Sequence, residues 1–194
     1  SLREALYTLK QIGAIEQRPG YGTVLRSGTA TLLACQLDLP FMSDSTGTIE
    51  LMETRCLLEV GVVELAAKRA TEKDLDRIEG VLREMSSMVA KGKREEYRKK
   101  DLEFHQLIAM SAHNRFLLHI FLSISQFLEQ FLKDSFSAMP HKLGLSQQGH
   151  DEIYMALRNR DPKRATHGMF NHLSRVIQSV ESYYGQTAEV ESID

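Results

Sequence analysis

Cysteine is nearly missing from this chain. Only Cys35 and Cys56 occur among 194 residues, with no Cys-x-x-Cys spacing, so neither a disulfide framework nor a thiolate metal site is indicated, and a reducing cytoplasm suits the chain. Long apolar runs are missing too. No stretch reaches the roughly eighteen apolar residues of a membrane span, and the N-terminus lacks the charged-then-apolar pattern of a secretion signal. No His-Glu-x-x-His motif supplies a metal-bound general base. Positive charge is not in excess either: a formal net charge of −2 and a pI near 6.4 argue against a protein coated in basic surface. A small basic module can still hide in that total, because residues 1–27 carry Arg3, Lys10, Arg18 and Arg26 against Glu4 and Glu16, a net +2 that leaves −4 for the remainder.

What is present is a 42% hydrophobic composition, enough for a proper core in one domain or a little more. Ser1 can cap a helix, with Glu4 closing a capping box, and Leu2, Ala5, Leu6 and Leu9 recur at helical spacing up to Gly13. Two short β-prone runs then flank Pro19-Gly20-Tyr21-Gly22, which reads as a hairpin over residues 14–25. A short helix followed by a small basic hairpin is the second half of a winged helix-turn-helix, in which the helix enters the major groove of DNA and the hairpin lies against the minor groove or backbone. Residues 1–27 are therefore read as a partial DNA-binding domain and 28–47, with Pro40 and Ser43-Asp44-Ser45, as a linker.

From residue 48 the pattern is helical throughout, with no strand signal and no internal repeat. Caps and breakers divide it at about 48–70, 72–91, 94–112, 114–138, 146–159 and 161–184. Thr71 and Asp161-Pro162 are starts; Gly92 and Gly185 are stops. The expected fold is all-α, an antiparallel helical bundle over 48–185 with a polar tail at 186–194.

Within that bundle Asp101 and His105 stand four residues apart, on one helix face. His105 is in phase with Ile108 and Ala112, His150 with Ile153, Tyr154 and Leu157, and His172 with Met169, Leu173 and Val176. Each alone reads first as a hydrogen-bonded core histidine. Together, three inward imidazoles and one carboxylate from three helices satisfy one another most simply around a divalent metal, Zn first, with Ni, Mn or Fe also suited to the donors. His113, His119, His141 and His167 lack this phase. Leu51, Arg55, Leu58, Val62 and Leu65 share one stripe, so Arg55 is either paired with Glu59 or forms a fork for the carboxylate of a small acid. Phe116, Phe121, Phe127, Phe131 and Phe136 read as packing or subunit contact. Besides a sensor, the same pocket admits a metal-dependent enzyme acting on a small organic acid, and histidines without an ion would leave a helical interaction module.

The string Leu2-Arg3-Glu4-Ala5-Leu6, Leu9, Gly13 and Arg18-Pro19-Gly20-Tyr21-Gly22-Thr23 resembles the GntR transcription regulators. So do Arg55, Leu58-Glu59, Ala66-Ala67, Asp74-Leu75, Asp101, Phe104-His105, Asn114, His150, Ile153, Ala156-Leu157, Asp161, Ala165, Met169 and His172-Leu173, which resemble the FadR subfamily with its helical effector domain of the FCD type. The resemblance implies a homodimeric DNA-binding regulator, a repressor in the first instance, that is not an enzyme and senses a small organic acid. It implies Asp101, His105, His150 and His172 as ligands of a divalent ion and Arg55 as an effector contact. It assigns DNA contacts to Ser1, Arg3, Arg18, Gly20, Tyr21, Gly22 and Thr23, with Arg3 on the recognition helix and the glycines shaping the wing tip. Two helices that precede the Ser1 position in the family have no counterpart here, so the winged domain is expected to be N-terminally truncated and weakened in DNA binding.

Overall fold

The structure is a computed structural model that describes residues 6, 7, 10, 15–18, 20, 22–25, 45–131 and 143–191. The chain divides into two compact units, Ser1–Phe41 and Met42–Asp194. In the first, residues 6, 7 and 10 are helical, and β1 (Ile15–Arg18) pairs antiparallel with β2 (Gly22–Leu25) in the register Ile15 to Leu25 and Arg18 to Gly22. Gly20 and Gly22 have φ of 80° and 79°, a conformation in which any side chain with a Cβ is strained. The expected hairpin is thus present. Ser1, Arg3 and Tyr21 lie outside the described residues, as do the Arg18 side chain, Cys35 and most of the proposed linker.

The second unit holds six helices among the described residues: α1 (Ser45–Arg69), α2 (Glu72–Ala90), α3 (Arg94–Ser111), α4 (Arg115–Phe131), α5 (Leu143–Arg158) and α6 (Pro162–Glu191). Links of two or three residues at α1–α2, α2–α3, α3–α4 and α5–α6 turn the chain back on itself, as in an up-and-down bundle. Helix α1 lies along α6, α5 packs on α6 and α2, and α3 packs on α2 and α1. The core between them is built from Leu75, Ile78, Phe104, Ile108, Ile153 and Leu157 with their neighbours, all essentially inaccessible. Each such side chain contributes about 1.5–3 kcal/mol by leaving water. Phe121 joins this core, whereas Phe116 is exposed; the side chains of Phe127 and Phe131, and all of Phe136, lie outside the described residues.

One expectation about a helix end needs correction. Gly185 does not stop α6, which runs on to Glu191. Glycine ends a helix when it takes a left-handed φ, as Gly92 does at 65°, with Lys93 N–H donating to Met88 O at 3.0 Å and Gly92 N–H to Val89 O at 3.1 Å. Gly185 keeps a negative φ and costs the helix only about 1 kcal/mol against alanine. Conversely α3 and α5 end at His113 (φ 46°) and Arg160 (φ 54°), which no glycine marks. Tertiary contacts hold both left-handed residues. His113 Nε2 lies 2.9 Å from Asp74 Oδ2, and Arg160 donates to Ala70 O and, at 2.9 Å, to Glu72. The start of α2 therefore anchors the ends of two other helices.

Helix α2 starts at Thr71, its N-cap, as expected, and that start is a closed capping box: Asp74 N–H donates to Thr71 Oγ1 at 3.2 Å and Thr71 N–H to Asp74 Oδ2 at 2.9 Å. Thr71→Ala should cost about 1 kcal/mol and lower the melting temperature by about 2–4 °C. An unchanged melting curve would show that the contacts of His113 and Arg160 suffice to hold the turn.

Candidate metal and effector site

Helix α3 contributes Asp101 and His105, α5 contributes His150 and α6 contributes His172. One ligand atom from each of the four comes within 4.8 Å of the others. His105, His150 and His172 are buried, while the Asp101 side chain keeps 26% of its exposure and so marks the open side of the cluster. His150 Nε2 lies 3.1 Å from Asp101 Oδ1, too poorly aligned for an N–H···O hydrogen bond. The rings of His150 and His172 are 4.2 Å apart, and His105 sits 5.4 Å from both. Phe104 closes one side, 4.7 Å from the His150 ring. The other histidines stay out: His113, His119 and His167 are exposed, and His141 lies outside the described residues.

Each of two imidazoles is fixed on its far side. His105 Nδ1 is 2.5 Å from Glu59 Oε2, and His150 Nδ1 is 3.2 Å from the Tyr97 hydroxyl. The Glu59 carboxylate can only accept, so His105 Nδ1 carries the proton and its Nε2 presents a lone pair, while His150 Nδ1 pairs with a hydroxyl that can donate or accept; both Nε2 atoms are buried without a hydrogen-bond partner. Backing of Nδ1 by a carboxylate or hydroxyl, with Nε2 left over, is the arrangement that holds metal-binding histidines. The donors present thus fit a divalent ion of the zinc, nickel, manganese or iron type.

Arg55 is not in the middle of the buried stripe of α1. The buried side chains of α1 are Thr48, Met52, Cys56, Glu59, Val62, Val63, Ala66 and Ala67, and Arg55 flanks them with an 11% exposed side chain. Small residues and a carboxylate make this face weak in hydrophobic pattern, so sequence periodicity favoured the neighbouring leucines. The Arg55–Glu59 pair is formed, Nε to Oε1 at 2.5 Å. It engages Nε only, and no protein hydrogen bond occupies the two terminal guanidinium nitrogens among the described residues. Glu59, read from sequence only as a partner for Arg55, is the most deeply buried carboxylate described here and touches the site directly. Gly149 was also missed: a Cβ there would meet His172 Nδ1 at 2.9 Å, so the backbone of α5 is pressed against the ring.

Electrostatics keep Glu59 and Asp101 ionised and His150 and His172 neutral. Burial would raise the pKa of Glu59, but Arg55 and His105 outweigh it and bring it down to about 2. Burial opposes ionisation of Asp101 as well, and the adjoining His150, then His105 and Arg55, hold it well below the usual carboxylate range. Burial lowers His150 despite Asp101, and lowers His172 further, with Arg55 adding to both effects.

The FCD domain family matches residues 50–175, which include every residue of this site. The chain belongs to the FCD-domain branch of the GntR transcription regulators. It is 31% identical to the HTH-type transcriptional regulator LutR of Bacillus subtilis, over 97% of this chain and 87% of that protein. It is 28% identical to the HTH-type transcriptional repressor NanR of Cronobacter sakazakii, over 91% of this chain and 68% of that one. Among solved structures it is similar to Streptococcus agalactiae GntR, with a TM-score of 0.68 at 27% identity, covering 91% of this chain and 80% of that one. These relatives are named as regulators, and the chain is accordingly a DNA-binding transcription regulator rather than an enzyme. No described helix is long and apolar enough to cross a membrane.

For this FCD domain the buried imidazoles set a pH dependence. Without metal, His150 and His172 remain neutral in the fold below their ordinary 6.5, while the unfolded chain takes up protons there. The unfolded state then binds more protons, so stability falls as pH drops through that value, by up to about 1.4 kcal/mol per pH unit for each proton. Glu59 adds its own loss only lower, between 4.5 and about 2. Chelator-treated protein should therefore melt several degrees lower at about pH 5.5 than at about 7.5, each kcal/mol being worth about 2–4 °C; a flat profile would mean that the imidazoles enter the fold charged. Gly149→Ala should displace His172 and weaken zinc binding at least about tenfold by calorimetric titration, and an unchanged affinity would show that the ring can retreat.

Proposed function

We propose that this regulator is a homodimeric repressor that senses a small organic acid at a divalent-metal site in its helical domain. The observation that carries the reading is the pair of buried Nε2 atoms, on His105 and His150, that lack any hydrogen-bond partner. Leaving each so would cost about 1–3 kcal/mol, and a cation removes both costs at once. Asp101, His105, His150 and His172 are the ligands, with zinc the best fit to three imidazoles and a carboxylate and nickel, manganese or iron the alternatives. An ion held there supplies positive charge and open positions for acid oxygens.

The charge balance supports an acid as effector. Two ionised carboxylates, Glu59 and Asp101, face one guanidinium, Arg55, with His150 and His172 neutral beside them, and this balance favours a cation first. Once a dication is bound the balance turns positive and draws an anion. The terminal nitrogens of Arg55 then offer a planar fork for its carboxylate. Because α1, α3, α5 and α6 each contribute a side chain, a ligand held here biases how these helices pack, and a bias of about 1.4 kcal/mol between two dimer arrangements changes DNA affinity tenfold. Repression is favoured by the similarity to NanR, which is named a repressor.

For operator recognition, the residues proposed are Ser1, Arg3, Arg18, Gly20, Tyr21, Gly22 and Thr23. A homodimer reading two half-sites follows, because one recognition helix contacts too few bases to be selective. The protein works in the cytoplasm, where the operator is. Protein purified without chelator should carry about one metal ion per chain, and Asp101→Ala should lose it. Small hydroxy-, keto- and dicarboxylic acids should bind the metal-loaded protein and not the stripped one by calorimetry. No acid binding in either state would remove the sensor reading.

A further inference from the structure

Glu59 sits on α1, outside the four-residue cluster, yet it is 1% exposed and touches two functional side chains with its two carboxylate oxygens. Oε2 meets His105 Nδ1 and Oε1 meets Arg55 Nε, each at 2.5 Å. Both contacts are charge-assisted and both are shielded from water, so neither is weakened by solvent as a surface pair would be. A carboxylate in this position does three things. It fixes the His105 ring plane, it selects the tautomer with the proton on Nδ1, and it raises the electron density at Nε2. Arg55 in turn holds the carboxylate, since a glutamate side chain with one anchor could swing away from the imidazole.

We propose that Glu59 is the positioning residue of the metal site, tying the imidazole of His105 to the guanidinium of Arg55 so that the metal ligand and the acid-binding fork are held by one carboxylate. The inference rests on the metal reading given above and deepens it. Arg55 then serves two anions, Glu59 through Nε and the acid through its terminal nitrogens, and a movement of Arg55 toward the acid is felt at His105 through Glu59. No second cation replaces Arg55 here: among the described residues, Glu59 pairs with Arg55 and His105, with the Cys56 thiol nearby and uncharged.

The test is zinc affinity in Glu59→Gln, measured by competition against a chromophoric chelator, beside Asp101→Ala and an exposed control, Glu64→Gln. Glutamine replaces one of the two acceptor oxygens by an amide NH2, which can only donate, so one of the two contacts is lost and zinc affinity should fall about 10–100-fold while the control stays at the wild-type value. Ring 15N resonances of the zinc-free wild type should report His105 in the Nδ1–H tautomer with a strongly downfield Nδ1 proton, and this proton should vanish or move upfield in Glu59→Gln. That resonance is read on the unsubstituted protein, so the inference is testable even if the glutamine variant does not fold. If Glu59→Gln binds zinc as wild type does while Asp101→Ala loses it, or if His105 is found as the Nε2–H tautomer, the role of Glu59 is overturned and the metal site stands. If the wild-type protein binds no metal at all, the functional reading falls and this one with it.

Discussion

A buried imidazole nitrogen must be satisfied by something, and among the described residues two, the Nε2 atoms of His105 and His150, have no hydrogen-bond partner. Both rings belong to the cluster that Asp101 and His172 complete, with one ligand atom of each of the four residues within 4.8 Å of the others. Everything around them is arranged to keep them there. Glu59 and Tyr97 hold the far sides of the rings, Phe104 packs on His150, and the bare backbone at Gly149 admits His172. A purely structural core has cheaper solutions, since replacing such polar groups by well-packed apolar ones is often neutral or stabilising. Four polar side chains gathered at one point of the interior are therefore not accounted for by stability alone.

The helices that carry these groups are anchored at a distance from them. The ends of α3 and α5, which bear Asp101, His105 and His150, are tied by His113 and Arg160 to the first turn of α2, where Thr71 and Asp74 close a capping box. Two left-handed residues that are not glycine are tolerated only because the contacts over-determine them. The consequence is a rigid cradle at one end of α3 and α5, against which small changes in ring position at the site can be transmitted as changes in helix packing. Helix α1 links the same site to α6, its main packing partner, through Glu59 and Arg55. A ligand bridging α1, α3, α5 and α6 therefore acts on most of the bundle at once.

Among the described residues, the pairing of Arg55 with Glu59 leaves the rest of its guanidinium uncommitted, so the two readings that sequence leaves as alternatives do not exclude one another. Its Nε is committed to Glu59 and its other end is not. A guanidinium can do this because its five donors lie in a fixed plane with separate edges, which a lysine cannot offer. The same geometry explains why the buried carboxylate remains ionised against the cost of desolvation: two cationic or donor groups share it, and a single one would leave it undercompensated.

Much of this was legible in the order of residues alone. Period-3.6 patterning, Thr71, Gly92 and Asp161-Pro162 delimited the helices to within a few residues, and the phase of His105, His150 and His172 put their side chains inside, because phase on a helix depends only on neighbours in the chain. The hairpin was legible from Pro19-Gly20-Tyr21-Gly22 for the same local reason. Which helix faces which was not. That Glu59 lies in the core and Arg55 at its edge, that Tyr97 backs His150, that Gly149 makes room for His172, and that His113 and Arg160 rather than glycines end two helices are all consequences of contacts between residues 23 to 90 positions apart. Local periodicity determines which way a side chain points from its own helix. Only the packing of one helix on another decides what it meets there.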